Sequence, residues 1–328
     1  MTSLESGTVV ASSTLVAPRL LLQEAYGELT QVLEEERIKR DEPLSNHTYV
    51  QVGGKADIAV FPSSFRQVRE AILVAQHFGL PHWIMGNGSN LLVRDGGVRG
   101  LVIILTGLGE IRQAGEGLIA QGGAMVVDLA RYALENHLSG LEFACGIPGT
   151  IGGGVRMNAG AYGGQLSDVL QWVRILTAEG EERVLEPSQL GLSYRESAVA
   201  REGWIVLEAA FTLRLEDKEV IQARMDDFTW RRQSKQPLEY PSCGSIFKRP
   251  PHDYAGRLIQ AAGLQGLRVG GAEVSTKHAG FIVNVDQATA TDFLSLIGQV
   301  QAAVKKKHGV LLELEVQVIG DKPSGQSP

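Results

Sequence analysis

The stretch Gly146-Ile147-Pro148-Gly149-Thr150-Ile151-Gly152-Gly153-Gly154 places five glycines among nine residues. Glycine loses more conformational freedom on folding than any other residue, so ordering this stretch has a free-energy cost that a bound ligand would help to offset. The stretch lacks the Lys-Ser or Lys-Thr pair of a P-loop. It therefore favours a loop that holds a phosphate or a flavin, with a purely structural glycine loop as the alternative. We call it the second glycine turn.

The first glycine turn, Gly86-Asn87-Gly88-Ser89-Asn90-Leu91, directly follows the short apolar run Trp83-Ile84-Met85. Glycine lets a backbone approach a phosphate closely and point its N–H groups at it. Leu91 stands where a dinucleotide fingerprint has its third glycine, and no clear amphipathic helix follows, so the turn is not a Rossmann motif. Taken alone, it fits an ordinary tight turn as well as a phosphate site.

Hydrophobic periodicity predicts an α+β chain in three parts, with changes of pattern near residues 100 and 218. Ser64 and Gln67 form a capping-box signal ahead of a helix. Predicted helices cover about 21–40, the stretch after Ser64, 126–136, a long segment from 218, a segment ending at 262, and a last helix bearing Phe293, Ile297, Val300 and Val304. Predicted strands cover 58–62, 83–85, 101–105, 118–120, 173–177, 204–213 and 312–318.

Composition restricts the classes of function. The 328 residues are 44% hydrophobic and 21% charged, as in a globular domain, and the net charge of −6 offers no general attraction for nucleic acid. The two cysteines and seven histidines show no disulfide framework or metal-ligand spacing, so we expect no metal. No apolar run approaches the roughly 20 residues of a membrane span, and no signal peptide is evident, so we expect a cytoplasmic protein without membrane insertion.

Three further segments carry groups that together can protonate a carbanion beside a carboxylate. They are Leu192-Ser193-Tyr194-Arg195-Glu196-Ser197, Gly244-Ser245-Ile246-Phe247-Lys248 and Leu312-Glu313-Leu314-Glu315-Val316. Individually each fits an ordinary surface arginine, strand serine or solvent-facing pair of glutamates. A serine acting as an acid needs a nearby cation or a proton relay to ease proton loss, and Arg195 or Lys248 can supply the positive charge. In an ideal strand, however, Lys248 points away from Ser245, and Glu313 and Glu315 share one face.

Read in order, these segments resemble the MurB family, the UDP-N-acetylenolpyruvoylglucosamine reductases of peptidoglycan synthesis. The resemblance covers about residues 40–320 and includes 46–57, both glycine turns, 194–197, 244–248, 261–264, 274–284 and 312–316. It implies a two-part FAD-binding domain of the vanillyl-alcohol-oxidase (PCMH) type and a C-terminal α/β substrate domain. The expected divisions are a mobile tail at 1–18, FAD-binding subdomains at 19–100 and 101–217, a substrate domain at 218–320, and a tail at 321–328.

The resemblance also implies the chemistry. NADPH would reduce non-covalently bound FAD, and flavin N5 would then pass hydride to the vinyl carbon of UDP-N-acetylglucosamine enolpyruvate, giving UDP-N-acetylmuramate. Ser245 would donate the proton, while Arg195 and Glu315 would stabilise the enolate-like intermediate. Substrate contacts are expected from Tyr194, Lys248, Arg249, Asn284 and Glu313. FAD contacts are expected from Gly86, Asn87, Gly88, Ser89, Asn90, Leu91, Gly122, Gly123, Gly146, Ile147, Pro148, Gly149, Gly152, Gly153, Asn158 and Ala159.

The sequence departs from the family pattern in three places. Arg249 stands where the family usually has Asn, Leu314 replaces the Pro of Leu-Glu-Pro-Glu, and the short chain between Arg195 and Ser245 indicates the subclass that lacks an extra substrate loop. Two other functions stay open at this stage. One is a PCMH-type flavin oxidase of small alcohols or lactones, in which a histidine such as His47 attaches FAD covalently. The other is a catalytically inactive sugar-nucleotide-binding protein.

Overall fold

The computed structural model describes residues 19–323. The first region contains α1 (Arg19–Leu29), β1 (Ile38–Pro43), β2 (Lys55–Val60), α2 (Phe65–His77), β3 (His82–Met85), β4 (Leu91–Val93) and β5 (Val98–Ile104). Its sheet has the order β1-β2-β5-β3, with β5 parallel to both β2 and β3. The predicted helix over 21–40 is wrong beyond Leu29, because the chain from Ile38 pairs antiparallel with β2 instead. Pairing with a distant strand here overrides local helix propensity.

Helix α2 follows the prediction closely. The Ser64 hydroxyl accepts a hydrogen bond from the Gln67 N–H, which satisfies one of the free donors of the first turn. Val68, Ile72 and Ala75 are fully buried and form the face that packs in a core with Leu101 and Ile103 of β5, among others. The capping signal and the spacing of apolar residues therefore position the helix on the sheet that leads into the first glycine turn.

The second region carries the larger sheet, of order β12-β11-β13-β7-β6. Its elements are β6 (Ile111–Ala114), β7 (Gly117–Gln121), α3 (Val126–Glu135), β8 (Leu138–Ser139), α4 (Ile151–Arg156), β9 (Gly160–Ala161), β10 (Gly164–Gln165), β11 (Leu170–Leu176), β12 (Glu182–Leu185), α5 (Pro187–Leu190), α6 (Ala198–Arg201), β13 (Ile205–Thr212) and β14 (Arg214–Leu215). The second glycine turn is thus a loop only to Thr150. That residue caps α4 by accepting from the Gly153 N–H, a short helix that the glycine content hid.

The third region contains α7 (Lys218–Lys235), β15 (Ser242–Ser245), α8 (Ala255–Ala261), β16 (Arg268–Val269), β17 (Ala272–Val274), β18 (Phe281–Asn284), α9 (Ala290–His308) and β19 (Gln317–Ile319). The sheet order is β15-β18-β17-β16. The predicted face of α9 is confirmed, since Phe293, Ile297, Val300 and Val304 are at most 3% exposed. No helix within residues 19–323 has the length and apolar character of a membrane span.

The predicted closing strand over 312–318 is shorter than expected. Only β19 pairs within a sheet, and it pairs in parallel with β4, directly after the first glycine turn. Upstream of β19, a single bridge joins Leu314 to Phe247. The C-terminal segment therefore connects the first region to the third, which places its glutamates between the two.

The proposed domain divisions remain predictions, and two structural facts bear on them. The boundary at residue 100 falls inside β5, so the first sheet extends to Ile104. Helix α7 begins at the other boundary, yet its Ile221 and Met225 are buried in the core of the second region. The predicted tail at 1–18 lies outside the described residues, as do residues 324–328 of the second tail.

Candidate active site

The centre of the candidate site is an ion pair between two segments far apart in the chain. Arg195 Nε donates to Glu315 Oε1 at 2.6 Å across a separation of 120 residues. The two side chains are 20% and 12% exposed, so the pair is largely withdrawn from water. Burial strengthens such a pair, because the local dielectric constant is lower than that of bulk water. The structure therefore joins two of the three predicted catalytic residues.

Ser245 lies next to this pair through backbone pairing. It ends β15 and pairs with Phe281 of β18. The chain then leaves the sheet and runs beside the glutamate segment: Glu315 N donates to Ile246 O at 2.8 Å, and Lys248 N donates to Glu313 O at 2.9 Å. The residue after Ser245 is thus bonded directly to Glu315. All three predicted catalytic residues converge on one place in the fold.

Lys248 and the two glutamates correct the expectation from ideal strands. Glu315 has a side chain only 12% exposed, whereas that of Glu313 is 77% exposed and lies 3.8 Å from Lys248 Nζ. Gly244 has φ of +76°, and the pairing of β15 is irregular before Ser245. The alternation rule therefore does not extend to Lys248, which lies close enough to act electrostatically on Glu315.

Burial and two nearby cations act in opposite directions on the Glu315 carboxyl. Burial raises the pKa of the Glu315 carboxyl above its ordinary value, and the positive charges of Arg195 and Lys248 partly oppose this rise. Perturbed carboxyls with a specific charged partner are common at functional sites.

The turn that carries Arg195 is held in an unusual conformation. Ser193 and Glu196 exchange backbone hydrogen bonds, and Arg195 between them has φ of +60°. A left-handed backbone at a residue other than glycine costs about 1–3 kcal/mol and persists only where the surroundings hold it. The Asn158 side chain is one such restraint, because its amide donates to Ser193 O at 3.3 Å.

Asn158 was expected to contact FAD, but its side chain is engaged within the protein. It is 2% exposed. Besides Ser193 O, its amide nitrogen contacts Gln165 Oε1 at 3.2 Å, and its oxygen accepts from Ser167 N at 3.0 Å. These bonds use both the nitrogen and the oxygen of the Asn158 amide. The structure therefore supports a role for Asn158 in positioning the Arg195 turn. Its neighbour Ala159 is partly buried against the core of the second region.

The first glycine turn abuts the catalytic segment. Asn90 Nδ2 donates to Glu315 O at 3.1 Å, and Gln317 N donates to Asn90 O at 3.0 Å. Within residues 19–323 the backbone N–H groups of residues 87–90 donate to no acceptor. A run of free N–H groups is a typical cradle for a phosphate. The turn therefore offers donors to a ligand at one end and holds Glu315 at the other.

The two glycine turns form one surface. Asn87 Nδ2 donates to Pro148 O at 2.8 Å, which ties the turns together. A Cβ atom at Gly86 would lie 2.2 Å from Thr150 Oγ1, so this contact requires glycine. At Gly149 and Gly153 the nearest atoms to such a Cβ would be side-chain oxygens at 3.4 and 3.6 Å, which leaves that part of the turn open. Ile147 is partly buried against the core of the second region.

Other glycines expected at the FAD site are required by backbone packing. A Cβ at Gly122 would lie 2.1 Å from Val206 O, one at Gly123 would lie 1.7 Å from Leu105 O, and one at Gly88 would lie 2.3 Å from His47 O. Gly152 N donates to Gly122 O, which fixes the start of α4 on β7's end. At these positions glycine is therefore explained by packing alone. The free N–H groups of the first turn and the uncrowded glycines Gly149 and Gly153 remain available to a ligand.

A cleft beside the first glycine turn has the size and lining for FAD. Its volume is about 1080 Å³, and it is lined by Ser45, Asn46, His47, Thr48, Tyr49, Gln51, Gly86, Asn87, Ile104, Thr106, Leu238, Glu239, Tyr240 and Pro241. Pockets for ligands of this size typically enclose several hundred Å³. With the free N–H groups of the turn at its edge, the residues present fit a flavin dinucleotide. His47 lines the cleft, but its Nε2 is hydrogen-bonded to Glu42 Oε1 at 2.7 Å.

The predicted substrate contacts divide into two groups. Tyr194 Oη accepts from Arg249 N at 3.3 Å, and the Arg249 guanidinium lies 4.5 Å from the ring centroid of Tyr254. Tyr254, which the sequence reasoning missed, thus joins an exposed aromatic and cationic cluster beside Arg195. Asn284 lies apart: its side chain donates to Val50 O at 3.2 Å and accepts from Ala288 N at 2.9 Å.

Comparison with protein-family models identifies both halves of the chain. Residues 56–186 match the model of an FAD-binding domain, and residues 236–319 match the C-terminal domain of UDP-N-acetylenolpyruvoylglucosamine reductase. The first match spans both glycine turns, and the second spans Ser245 and Glu315. Together with the alignment to a solved structure, these matches confirm the α+β fold with an FAD-binding domain.

Several reductases of this name are similar to the chain over nearly their whole length. A UDP-N-acetylenolpyruvoylglucosamine reductase of Geobacillus kaustophilus is 52% identical over 300 residues, covering 92% of this chain and 99% of that protein. One of Listeria innocua is 53% identical over 284 residues, covering 87% and 95%. The crystal structure of UDP-N-acetylenolpyruvylglucosamine reductase (MurB) from Thermus caldophilus aligns with a TM-score of 0.75 and 36% identity, covering 86% of this chain and 98% of that one. These relatives do not favour the flavin-oxidase alternative.

Proposed function

The chain belongs to the UDP-N-acetylenolpyruvoylglucosamine reductase family, and on that premise we propose that Arg195, Ser245 and Glu315 carry out its reaction. The protein is an FAD-containing, NADPH-dependent oxidoreductase that reduces UDP-N-acetylglucosamine enolpyruvate to UDP-N-acetylmuramate for peptidoglycan synthesis. The observation that carries the assignment of residues is the buried Arg195–Glu315 pair at 2.6 Å, bonded through its backbone to the residue after Ser245. A cytoplasmic location is part of the same proposal.

Bound FAD supplies a hydride carrier between NADPH and the enolpyruvyl group. The first glycine turn, with its free N–H groups, and the open part of the second turn at Gly149 and Gly153 would hold it, since both border one surface. Gly122, Gly123 and Asn158 would act indirectly, because their contacts bring the backbones and the Arg195 turn into place. The cleft beside the first turn would exclude much of the water around the reacting groups.

Arg195 and Glu315 would bind and polarise the carboxylate side of the enolpyruvyl group. As negative charge develops there, the Arg195 guanidinium offers positive charge, and Glu315 fixes its orientation through the Nε contact. The burial that raises the pKa of Glu315 also makes proton uptake by this group easier as the anionic substrate arrives. Ser245 would then give its hydroxyl proton to the carbon beside the carboxylate.

Recognition of the sugar nucleotide would fall to the exposed cluster beside this pair. Tyr194, Arg249 and Tyr254 present aromatic faces and a guanidinium, and Lys248 with Glu313 borders them. A guanidinium matches the paired oxygens of a diphosphate. Arg249, where the family usually has Asn, can therefore serve the substrate diphosphate in a different manner.

The direct test uses the purified protein. We expect a flavin absorbance spectrum that bleaches on addition of NADPH and recovers when the enolpyruvyl sugar nucleotide is then added under anaerobic conditions. A protein that binds flavin but shows no bleaching with NADPH would be a catalytically inactive binding protein. Recovery only upon admission of oxygen would instead identify an oxidase.

FAD is expected to be released completely when the protein is unfolded. The glycine turns offer only non-covalent contacts, and His47, the histidine of the cleft, is already hydrogen-bonded to Glu42. Acid or heat denaturation followed by centrifugation should leave all yellow colour in the supernatant. Flavin retained on the precipitated chain, detected by its fluorescence in a denaturing gel, would contradict this expectation.

Asn158→Ala is expected to lower turnover about 10- to 100-fold while FAD content stays near that of the wild type. The substitution removes the side-chain bond to Ser193 and leaves the Ser167 N–H without its buried acceptor, so the left-handed Arg195 turn loses a restraint. A misplacement of about 1 Å at a catalytic group can reduce the rate roughly 10²-fold. Turnover per bound FAD, measured with NADPH and substrate, is the relevant quantity.

Asn136→Ala provides the matched control, because within residues 19–323 that side-chain amide bonds only Tyr132 O, at the end of α3. It should leave turnover per flavin unchanged. If Asn158→Ala instead lost FAD while the remaining holoenzyme turned over normally, Asn158 would have the cofactor role that the sequence indicated.

A further inference from the structure

Arg232 places a cation against the second glycine turn. It lies in the last turn of α7, and its side chain fills the space beside Gly146: a Cβ atom there would lie 2.6 Å from Arg232 Cδ and 3.2 Å from Nε. Glycine at position 146 therefore makes room for this guanidinium. No other side chain could stand at position 146 without moving Arg232 away from the turn.

The guanidinium has no acidic partner in the part of the chain that the structure describes, residues 19–323. The two aspartates nearby on α7 are engaged elsewhere: Asp227 pairs with Arg231 at 2.8 Å, and Asp226 accepts from Gln222 at 2.8 Å. Two consecutive arginines thus differ. Arg231 is exposed and paired, whereas Arg232 is partly buried and has no counter-charge among the described residues.

The groups close enough to act electrostatically on Arg232 are neutral or weakly acidic. They are Tyr162, Tyr49 and Cys145, of which burial raises the pKa of both Tyr162 and Cys145. Burial also lowers the pKa of Arg232 itself, the direction expected when a cation is withdrawn from water without a counter-ion. Withdrawing a charge from water without a partner is costly, so such a group is usually completed by an anion.

The position of Arg232 indicates which anion. One neighbour, Tyr49, donates its N–H to Gly88 O of the first glycine turn, and the other contact, Gly146, begins the second. Arg232 therefore lies beside the start of the second turn, which Asn87 ties to the first, and within electrostatic reach of Tyr49, a residue that lines the cleft. The free N–H groups of residues 87–90 belong to the first turn and suit phosphate oxygens.

We propose that Arg232 binds the diphosphate of FAD, supplying the positive charge that the backbone N–H groups of the first glycine turn lack. This inference rests on the FAD site proposed above. A planar guanidinium can donate two parallel hydrogen bonds to phosphate oxygens, a geometry that N–H groups of a turn alone do not provide. Arg232 would thereby act in cofactor retention and not in the transfer of hydride or proton.

The test compares Arg232→Gln with Arg231→Gln, which removes the neighbouring, exposed and paired arginine. FAD dissociation is measured from the fluorescence that appears when each holoenzyme is diluted. We expect the Kd for FAD to rise about 10- to 100-fold in Arg232→Gln and less than about twofold in Arg231→Gln, where tenfold corresponds to about 1.4 kcal/mol. Arg232→Lys, which keeps the charge but loses the paired geometry, should fall between them.

The midpoint potential of the bound flavin and the KM for NADPH and for the sugar nucleotide separate other anions from the FAD diphosphate. An unchanged Kd with a lowered midpoint potential would place Arg232 at the flavin ring and overturn the proposal. An unchanged Kd with a raised KM for either nucleotide would assign it to that substrate's phosphates and would overturn it equally. If Arg232→Gln does not fold, Arg232→Lys carries the test, and an unchanged Kd in that variant counts against the paired contact. Absence of FAD from the wild-type protein would instead refute the cofactor site as a whole.

Discussion

Ser245→Ala should slow reoxidation of the reduced flavin by the enolpyruvyl sugar nucleotide about 10²- to 10⁴-fold, the usual contribution of general acid catalysis. Flavin reduction by NADPH should remain nearly at the wild-type rate, because the hydroxyl is required only when the substrate carbon takes up a proton. The expected selectivity follows from the position of Ser245. It directly precedes Ile246, whose carbonyl oxygen accepts a hydrogen bond from the Glu315 N–H. Anaerobic stopped-flow absorbance resolves the two half-reactions.

A serine in the same strand serves as the control for Ser245. Ser242 is in β15 and is 7% exposed, so Ser242→Ala tests whether loss of any hydroxyl from this strand disturbs the site. It should leave both half-reactions close to the wild-type rates. Equal slowing of reduction and reoxidation in Ser245→Ala would remove the proton-donor assignment and indicate a general disturbance of the cleft.

Glu315→Gln should lower turnover about 10²- to 10³-fold, while Glu313→Gln should change it by less than about tenfold. The loss of one group that stabilises developing charge typically costs about 3–4 kcal/mol. Glutamine preserves the size of the side chain but removes the charge that holds Arg195 Nε at 2.6 Å. Glu313 is 77% exposed and faces Lys248, where an ion pair in water contributes little.

Steady-state turnover of the two variants, corrected for FAD occupancy, distinguishes the roles. The pair is well matched because both changes remove one carboxylate from the same short segment. Greater damage in Glu313→Gln would mean that the motif acts two residues earlier than proposed. Leu314, which stands where the family usually has proline, would then be the first position to examine by Leu314→Pro.

Local signals in the sequence predicted several elements well. The Ser64 cap with buried Val68, Ile72 and Ala75 gave α2, and the spacing of Phe293, Ile297, Val300 and Val304 gave α9. Each of these signals lies within a few residues of the element it forms. Capping bonds and the period of 3.6 residues are local physics, so a sequence can display them without knowledge of the rest of the fold.

Where the predictions were wrong, a distant segment decided the outcome. The chain at Ile38 became β1 because β2 offered it a hydrogen-bonding partner, although its polar composition fitted a continuation of α1. The segment 312–316 alternates like a strand, but only Gln317–Ile319 found a sheet partner, in β4. The glycine content of residues 152–154 concealed α4, whose start is fixed by the Thr150 side chain.

The sequence by itself determined the kinds of group at this site and the family to which they belong: glycine turns suited to a phosphate, and an arginine, a serine and two glutamates in a recognisable order. Only the tertiary structure decided which of them work together. It buried Glu315 against Arg195 and left Glu313 in water, and it turned the Asn158 amide toward the Arg195 turn. It also placed Arg232 beside the second glycine turn, with no counter-ion within residues 19–323. The physical reason is that burial and pairing arise from contacts between segments far apart in the chain, as between Arg195 and Glu315 or between Asn90 and Glu315, and no local pattern of residues specifies the dielectric or the partner that such a contact creates.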